Sequence, residues 1–229
     1  MAAFARKLAR FNNIDLPLTR NPRDVFSKID ALMPGYLDSN KDFITSLEAA
    51  PEFETAKKRT LDFDIVAEVQ WLKDVMPTIK RRRALAHGDM NRANCLVRED
   101  REDPYDKIML IDYEFASYGY RGLDIGMQFS NRTMDVSQIH NKFKSGLDFP
   151  TIEERLHFIR AYKDEVREMN AYELDESENG LDSDTNMLIE ADYYVLAFSM
   201  FFMLMIVGDY QKFMSSGWEK LFNIFVSSL

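Results

Sequence analysis

The sequence predicts an α+β fold, mostly α-helical, with one small β-hairpin set into it. Three observations carry this expectation. Apolar residues recur at helical spacing through much of the 229-residue chain. Two short apolar runs, residues 95–98 and 107–111, flank the polar stretch 99–106, which contains Pro104, and read as the two arms of a hairpin. No internal repeat or low-complexity tract breaks the pattern, and 46% hydrophobic residues with 13% aromatics supply ample material for a packed core.

Taken in order, the chain opens on MAAFARKLARF, with three basic residues, no acid and an apolar stripe of Phe4, Leu8 and Phe11. An acid-poor amphipathic start is compatible with a mitochondrial presequence. The commoner object is a core helix, and that reading is preferred. Residues 12–22 form a polar connector in which Pro17 and Pro22 discourage helix. A helical pattern resumes over 24–32 through Val25, Ile29 and Leu32, and Pro34-Gly35 is expected to break it. Helical spacing returns at 41–47 and at 62–75, where Ile65, Val66, Val69, Leu72 and Val75 trace one face before Pro77 closes the helix.

The basic run 80–83 reads as a solvated connector, with contact to a nucleotide as the alternative. Residues 84–87 look like a short strand entering a loop at Asp89, and the hairpin follows. Beyond Gly126 the pattern is helical. Residues 153–169 carry an apolar face preceded by Thr151 and Glu154 at capping-box spacing. The acidic stretch 173–184 reads as an exposed loop, 187–207 as one long helix, and 218–225 as a last amphipathic turn or two. The most apolar run, 195–207, is shorter than the roughly 20 residues of a bilayer crossing, so a buried helix and no transmembrane segment are expected.

Charge and composition narrow the function classes. A net charge of −9 argues against a nucleic-acid partner or an anionic membrane surface and suits a small cationic substrate. The single cysteine, Cys95, allows no intrachain disulfide, fits a reducing, cytoplasmic setting and reads as a small buried hydrophobe. With three scattered histidines beside it, no zinc site is legible.

One segment has the layout of a site. Asp89 and Asn94 lie five residues apart on the loop entering the hairpin, and Asp112 and Glu114 follow its second arm. A hairpin brings the loop before its first strand beside the residues after its second, so Asp89, Asn94 and Asp112 are expected to converge. That combination is the set a phosphoryl-transfer site uses: a carboxylate to orient a hydroxyl nucleophile, then an amide oxygen and a second carboxylate for magnesium. His87 is expected to fix the loop by hydrogen bonding rather than to act as acid, base or ligand.

Residues 110–129, LIDYEFASYGYRGLDIGMQF, closely resemble the signature of choline and ethanolamine kinases, and HGDMNRAN resembles their catalytic loop. Other kinase-like phosphotransferases, such as the aminoglycoside group, share the loop but not the Tyr-Arg-Gly-x-Asp-Ile-Gly stretch. Fainter similarity runs back to AAFARKLARF and on through FPTIEERLHFIRAY and MLIEADYYVLAFSMFFM.

The resemblance implies the large, mostly helical lobe of a protein-kinase-like fold, with a hairpin carrying the catalytic and metal residues. It implies transfer of the γ-phosphate of ATP, with Mg2+, to the hydroxyl of choline or ethanolamine, the first step towards the corresponding phospholipids. By matching position, Asp89 is the catalytic base; Asn94 and Asp112 hold magnesium, and Glu114 is a further acid near the metals. Leu96 lies under the adenine. Arg121 and Asp124 are structural, Asp124 as a cap for the helix beginning at Ile125-Gly126.

Residues 1–229 are expected to form a single domain, with the catalytic loop at 86–98, the metal motif at 110–129 and a helical remainder at 150–229. In the family a strand-rich small lobe with a phosphate-binding lysine precedes the MAAFARKLARF helix, whereas this chain starts there. The substrate-binding positions are Asp89, Asn131, Phe202 and Met205. Asn131 and Arg132 stand where the family has glutamate and tryptophan, and Phe202 and Met205 where it has tryptophans. A quaternary ammonium is held by an aromatic cage and nearby negative charge, and an Arg132 facing it would repel it. A Met- and Phe-rich stripe also fits ordinary core. Two functions follow: an amino-alcohol kinase, or a catalytically silent binding or regulatory relative. A homodimer or a heterodimer with a full-length paralogue is the expected assembly.

Overall fold

A computed structural model describes residues 2–19, 25–46, 62–132 and 149–208. The helices are α1 (Ala2–Asn12), α2 (Val25–Ser46), α3 (Ile65–Val75), the single turn α4 (Pro104–Lys107), α5 (Arg121–Ser130), α6 (Ile152–Glu168) and α7 (Asp184–Gly208). The strands are β1 (Arg83–Ala86), β2 (Cys95–Val97), β3 (Ile108–Leu110) and β4 (Ser117–Tyr120). They make two antiparallel pairs, β1 with β4 and β2 with β3. The expected helical fold with a hairpin is thus observed, and the hairpin arms pair Cys95 with Leu110 and Val97 with Ile108. The expected turn at 218–225 lies outside the described residues.

The chain divides into two compact units. The first comprises Met1–Arg23, Met76–Asn131 and Phe149–Val195; the second comprises Asp24–Val75, Arg132–Asp148 and Leu196–Leu229.

In the first unit α1 packs along α6. Leu8 is fully buried, and the Phe4 and Phe158 rings lie 6.3 Å apart. The cations of α1 meet acids of α6: Arg6 pairs with Glu165 at 3.4 Å and with Glu168 at 3.1 Å, and Arg10 pairs with Glu165, whose side chain is buried. A basic, acid-poor opening is therefore half of an interhelical ion-pair set on an ordinary core helix. The capping box of α6 is present, with Thr151 Oγ1 accepting from the Glu154 N–H and the Glu154 carboxylate accepting from the Thr151 N–H.

Two segments expected to be solvated are clasped together. In the basic run, Lys80 donates to the Asn179 carbonyl, and the Arg81 guanidinium lies 4.2 Å over the Tyr120 ring. Arg82 lies 4.0 Å over Tyr172 and binds both carboxylate oxygens of Asp182. The acidic stretch 173–184 is the other half, because its Asp182 is fully buried. Asp182 also pairs with Arg121, which reaches Glu190 of α7 at 3.1 Å and donates to the Leu181 carbonyl at 2.7 Å. Arg121, Asp182 and Glu190 are all withdrawn from water. Burial opposes the charge on Arg121, yet Glu190 and Asp182 outweigh it and push its pKa further up. Burial raises the pKa of Glu190 against the pull of Arg121.

Alpha7 begins at Asp184, with Ser183 Oγ accepting from the Asn186 N–H, so it starts three residues before the expected Met187. Its 184–205 stretch is long and apolar enough to cross a membrane by length and composition, and half of that stretch is buried inside the protein. The ion pair of Glu190 with Arg121 and the approach of Ala191 and Tyr194 to α5 make its first half a core helix. A Cβ on Gly126 would lie 2.7 Å from the Ala191 carbonyl oxygen, so α5 and α7 meet backbone to backbone.

In the second unit the expected break at Pro34 does not occur, and α2 runs through it to Ser46. Proline removes one backbone donor and crowds the preceding turn. Val25, Phe26 and Ile29 before it and Tyr36 after it are all buried, so packing on both sides holds the helix together. On α3 the buried stripe is Ile65, Val69 and Leu72; Val66 is exposed, so that face is narrower than expected. The helix ends as expected before Pro77, in the 3-10 turn Met76–Thr78.

Two outcomes follow for stability. Replacing Arg121 by Met leaves Glu190 buried without its cation and Asp182 with Arg82 alone, and should cost about 3–5 kcal/mol in urea unfolding, whereas Arg160→Ala, at an exposed pair with Asp184, should cost about 0–1 kcal/mol. Burial raises the pKa of Asp184, but hydrogen bonds from Lys163 and Arg160 outweigh it and hold that pKa below the ordinary value. A depressed carboxylate stabilises the fold above its unfolded pKa of about 4 and loses that contribution as pH falls through its folded value. Urea midpoints of wild type and Asp184→Asn should therefore differ at pH 7 and converge in acid.

Candidate functional site

The loop between β1 and β2 is built on a glycine. Gly88 has φ +78°, and a Cβ there would sit 2.8 Å from the Phe115 carbonyl oxygen, so conformation and space both require glycine. The backbone here is held by Asp124, which accepts from the His87 N–H at 2.8 Å and the Gly88 N–H at 3.0 Å. Asn12, the last residue of α1, donates to the same carboxylate at 2.9 Å and bonds Tyr162 of α6 through its oxygen. The expectation that Asp124 caps its helix is corrected here. Alpha5 starts at Arg121 and has no side-chain cap, and Asp124 sits in its first turn with both oxygens turned to the loop. Burial pushes the Asp124 carboxyl up against the pull of these hydrogen bonds.

His87 is buried, and its Nε2 lies 3.0 Å from the Ile111 carbonyl oxygen. A carbonyl only accepts, so Nε2 carries the proton. The ring lies 5.6 Å from Phe11 and 5.2 Å from Tyr113, which stack on each other at 5.6 Å, so the three rings form a cluster. His87 thereby ties the loop to the residue before Asp112.

Asp89 and Asn94 are brought together. The Asn94 amide donates to Asp89 Oδ2 at 2.8 Å and to the Asp89 carbonyl at 2.9 Å. A carboxylate only accepts, so the NH2 of Asn94 faces Asp89 and its Oδ1 points elsewhere. The Asn94 carbonyl accepts from the Ile111 N–H at 3.0 Å, which sets Ile111, the residue before Asp112, opposite Asn94 at the end of the hairpin. Asp112 has φ +66°, an uncommon conformation for a residue with a side chain and one found at functional turns. Asp112 and Glu114 are both exposed. Among the described residues no group of three or more His, Cys, Asp or Glu is drawn together for a metal. The donors present are one amide oxygen and two carboxylates. An all-oxygen set with few protein ligands suits Mg2+, which keeps several waters and is shared with substrate phosphates.

The remaining expected residues fall in different places. Leu96 pairs with Met109 across the hairpin, and both side chains are about two-fifths exposed, at 42% and 41%, giving the hairpin an apolar outer face. Asn131 is buried and its amide donates to the Met90 carbonyl, beneath the loop. Phe202 and Met205 belong to the second unit; both are half-buried on α7, and Phe202 stacks on Phe198 at 6.1 Å. Cys95 is half-buried, and burial raises its thiol pKa. Sequence reasoning missed three contributors: Asn12 and Met109, whose partners are remote or across a strand, and Asn91, whose amide contacts Asp89. A second asparagine two residues after an aspartate in a turn is a local signal that points to Asn91.

Comparison with known proteins bears on this geometry. Residues 1–220 match the family model for choline/ethanolamine kinase. The chain is 29% identical over 202 residues to the human choline/ethanolamine kinase, covering 87% of this chain and 48% of that protein. It is 27% identical over 209 residues to a probable ethanolamine kinase of Arabidopsis thaliana, covering 86% and 45%. The chain thus spans about half the length of the curated relatives it matches. Among solved structures, choline kinase from Cryptosporidium parvum superposes with a TM-score of 0.60 at 15% identity, covering 97% of this chain and 64% of that one. Ethanolamine kinase from Plasmodium vivax superposes with a TM-score of 0.57 at 15% identity, covering 100% and 58%. At that identity these two establish the kinase-like fold.

Replacing Asp124 by Asn puts an NH2 where N–H groups need acceptors. The expected result is a loss of about 1–3 kcal/mol in urea unfolding together with faster hydrogen exchange at the His87 and Gly88 amides.

Proposed function

Since the chain belongs to the choline/ethanolamine kinase family, we propose that it carries the base and metal half of an amino-alcohol kinase site and transfers the γ-phosphate of ATP to choline or ethanolamine. The observation that carries this reading is the pairing of Asp89 with Asn94, with the residue before Asp112 bonded to the Asn94 backbone. One amide joins Asp89 and Asn94 at 2.8 Å, and the Asn94 carbonyl accepts from the Ile111 N–H at 3.0 Å, one residue before Asp112.

In this reading residues 1–229 are the large lobe, with the catalytic loop at 86–98 and the metal motif at 110–129. Asp89 accepts the proton of the substrate hydroxyl as that oxygen forms its bond to the γ-phosphorus. The bond from the γ-phosphorus to the oxygen bridging it to the β-phosphate breaks, ADP leaves, and the proton passes from Asp89 to solvent. The products are the phosphorylated amino alcohol, ADP and a proton. Asn94 and Asp112, with Glu114 nearby, would hold Mg2+, which would supply positive charge to the phosphates. Leu96 and Met109 offer a flat apolar face for the adenine. Phe202 and Met205 are the positions assigned to the substrate's onium group. Asn131, already bound to the Met90 carbonyl, supports the loop instead of facing the substrate. A cytoplasmic setting fits the single free thiol.

The test is phosphotransfer from radiolabelled ATP, with magnesium, to choline and to ethanolamine in parallel. Wild type should form a labelled product, and Asp89→Ala should lower turnover by about 10²-fold or more. Equal product from wild type and Asp89→Ala would overturn the assignment.

A further inference from the structure

We propose that Asn91 is a positioning residue for this transfer: it pins the plane of the Asp89 carboxylate and leaves Oδ1 as the oxygen that takes the hydroxyl proton. The inference rests on the kinase reading above. Asn91 Nδ2 lies 3.1 Å from Asp89 Oδ1 and 3.1 Å from Oδ2. One donor group straddling both oxygens fixes the carboxylate plane, because rotation about the Cβ–Cγ bond lengthens one contact or the other. The Asn94 amide adds a second donor to Oδ2 at 2.8 Å. Each oxygen of an ionised carboxylate offers about two lone-pair sites. Oδ2 has both filled; Oδ1 has one filled and one open. The open site belongs to the hydroxyl.

Asn91 also faces the other way. Its Oδ1 accepts from the Asn94 N–H at 3.1 Å, closing the 3-10 turn Arg92–Asn94. Donor and acceptor of one side chain therefore set the base and the amide oxygen assigned to magnesium in a fixed relation. A serine or threonine at this position accepts from Asn94 but is too short to straddle both Asp89 oxygens. An aspartate accepts but cannot donate. Asparagine does both.

That difference supplies the experiment. Asn91→Asp is isosteric and keeps the acceptor for the Asn94 N–H, but it removes the donor and sets a second carboxylate against Asp89. Its urea midpoint should stay near that of wild type while kcat falls about 10- to 100-fold and KM for ATP changes less than about threefold. Asn91→Gln, which restores a donor one methylene farther out, should recover part of kcat. A crystal structure of Asn91→Asp should show the Asp89 carboxylate rotated from its wild-type plane. Wild-type kcat in Asn91→Asp, or an unmoved Asp89 in its crystal structure, would overturn the inference. Wild type assayed alongside separates the two claims. No turnover there defeats the kinase reading, and the crystal structure then decides the positioning role by itself.

Discussion

The Asp124 carboxylate accepts three N–H groups from parts of the chain far apart in sequence: the backbone of His87 and Gly88, and the side chain of Asn12. Three donors around one buried anion are what its charge requires in a medium with little water. The loop carrying Asp89 has no regular backbone partners at this point, so the Asp124 oxygens take the place of a strand. Through Asn12 the same anion is tied to Tyr162 of α6 and to the Leu85 carbonyl of β1. The position of the candidate base therefore depends on the packing of α1, α5 and α6 at once.

This dependence gives the Tyr-Arg-Gly-x-Asp-Ile-Gly stretch a physical reading in which Tyr120, Arg121, Gly122, Asp124 and Gly126 each have a structural task, while Ile125 is buried in the core. Tyr120 carries the Arg81 guanidinium on its ring. Arg121 is the cation between Asp182 and Glu190. Gly122 and Gly126, one turn apart, let α7 approach α5 closely. Asp124 orients the loop. Apart from the base, amide and acids, the most recognisable part of the sequence is scaffold for them.

Legibility in the sequence followed the range of the interactions. The hairpin, the capping box of α6 and the pairing of Asp89 with Asn94 depend on residues within a few positions of one another, or on an apolar run bounded by a turn. Their patterns can be read directly. The Arg82–Asp182 pair spans 100 positions. Each partner taken alone looks like a solvated charge, so the basic run 80–83 and the acidic stretch 173–184 were both expected to face water. Strand β4, SYGY, has the composition of a turn and is a strand because β1 lies beside it. Pro34 is a breaker by its own chemistry, and burial before and after it prevails.

Gly88 and Phe115 bring one further point into view. The two lie in separate motifs, yet the Phe115 carbonyl occupies the space a Gly88 side chain would need, while His87 holds the Ile111 carbonyl on the same side. The base loop and the acidic segment are thus complementary surfaces shaped to each other. In any chimera that moves this chemistry to a related scaffold, residues 86–98 and 110–129 form one cassette and have to be transplanted together, with Asn12 as the third piece.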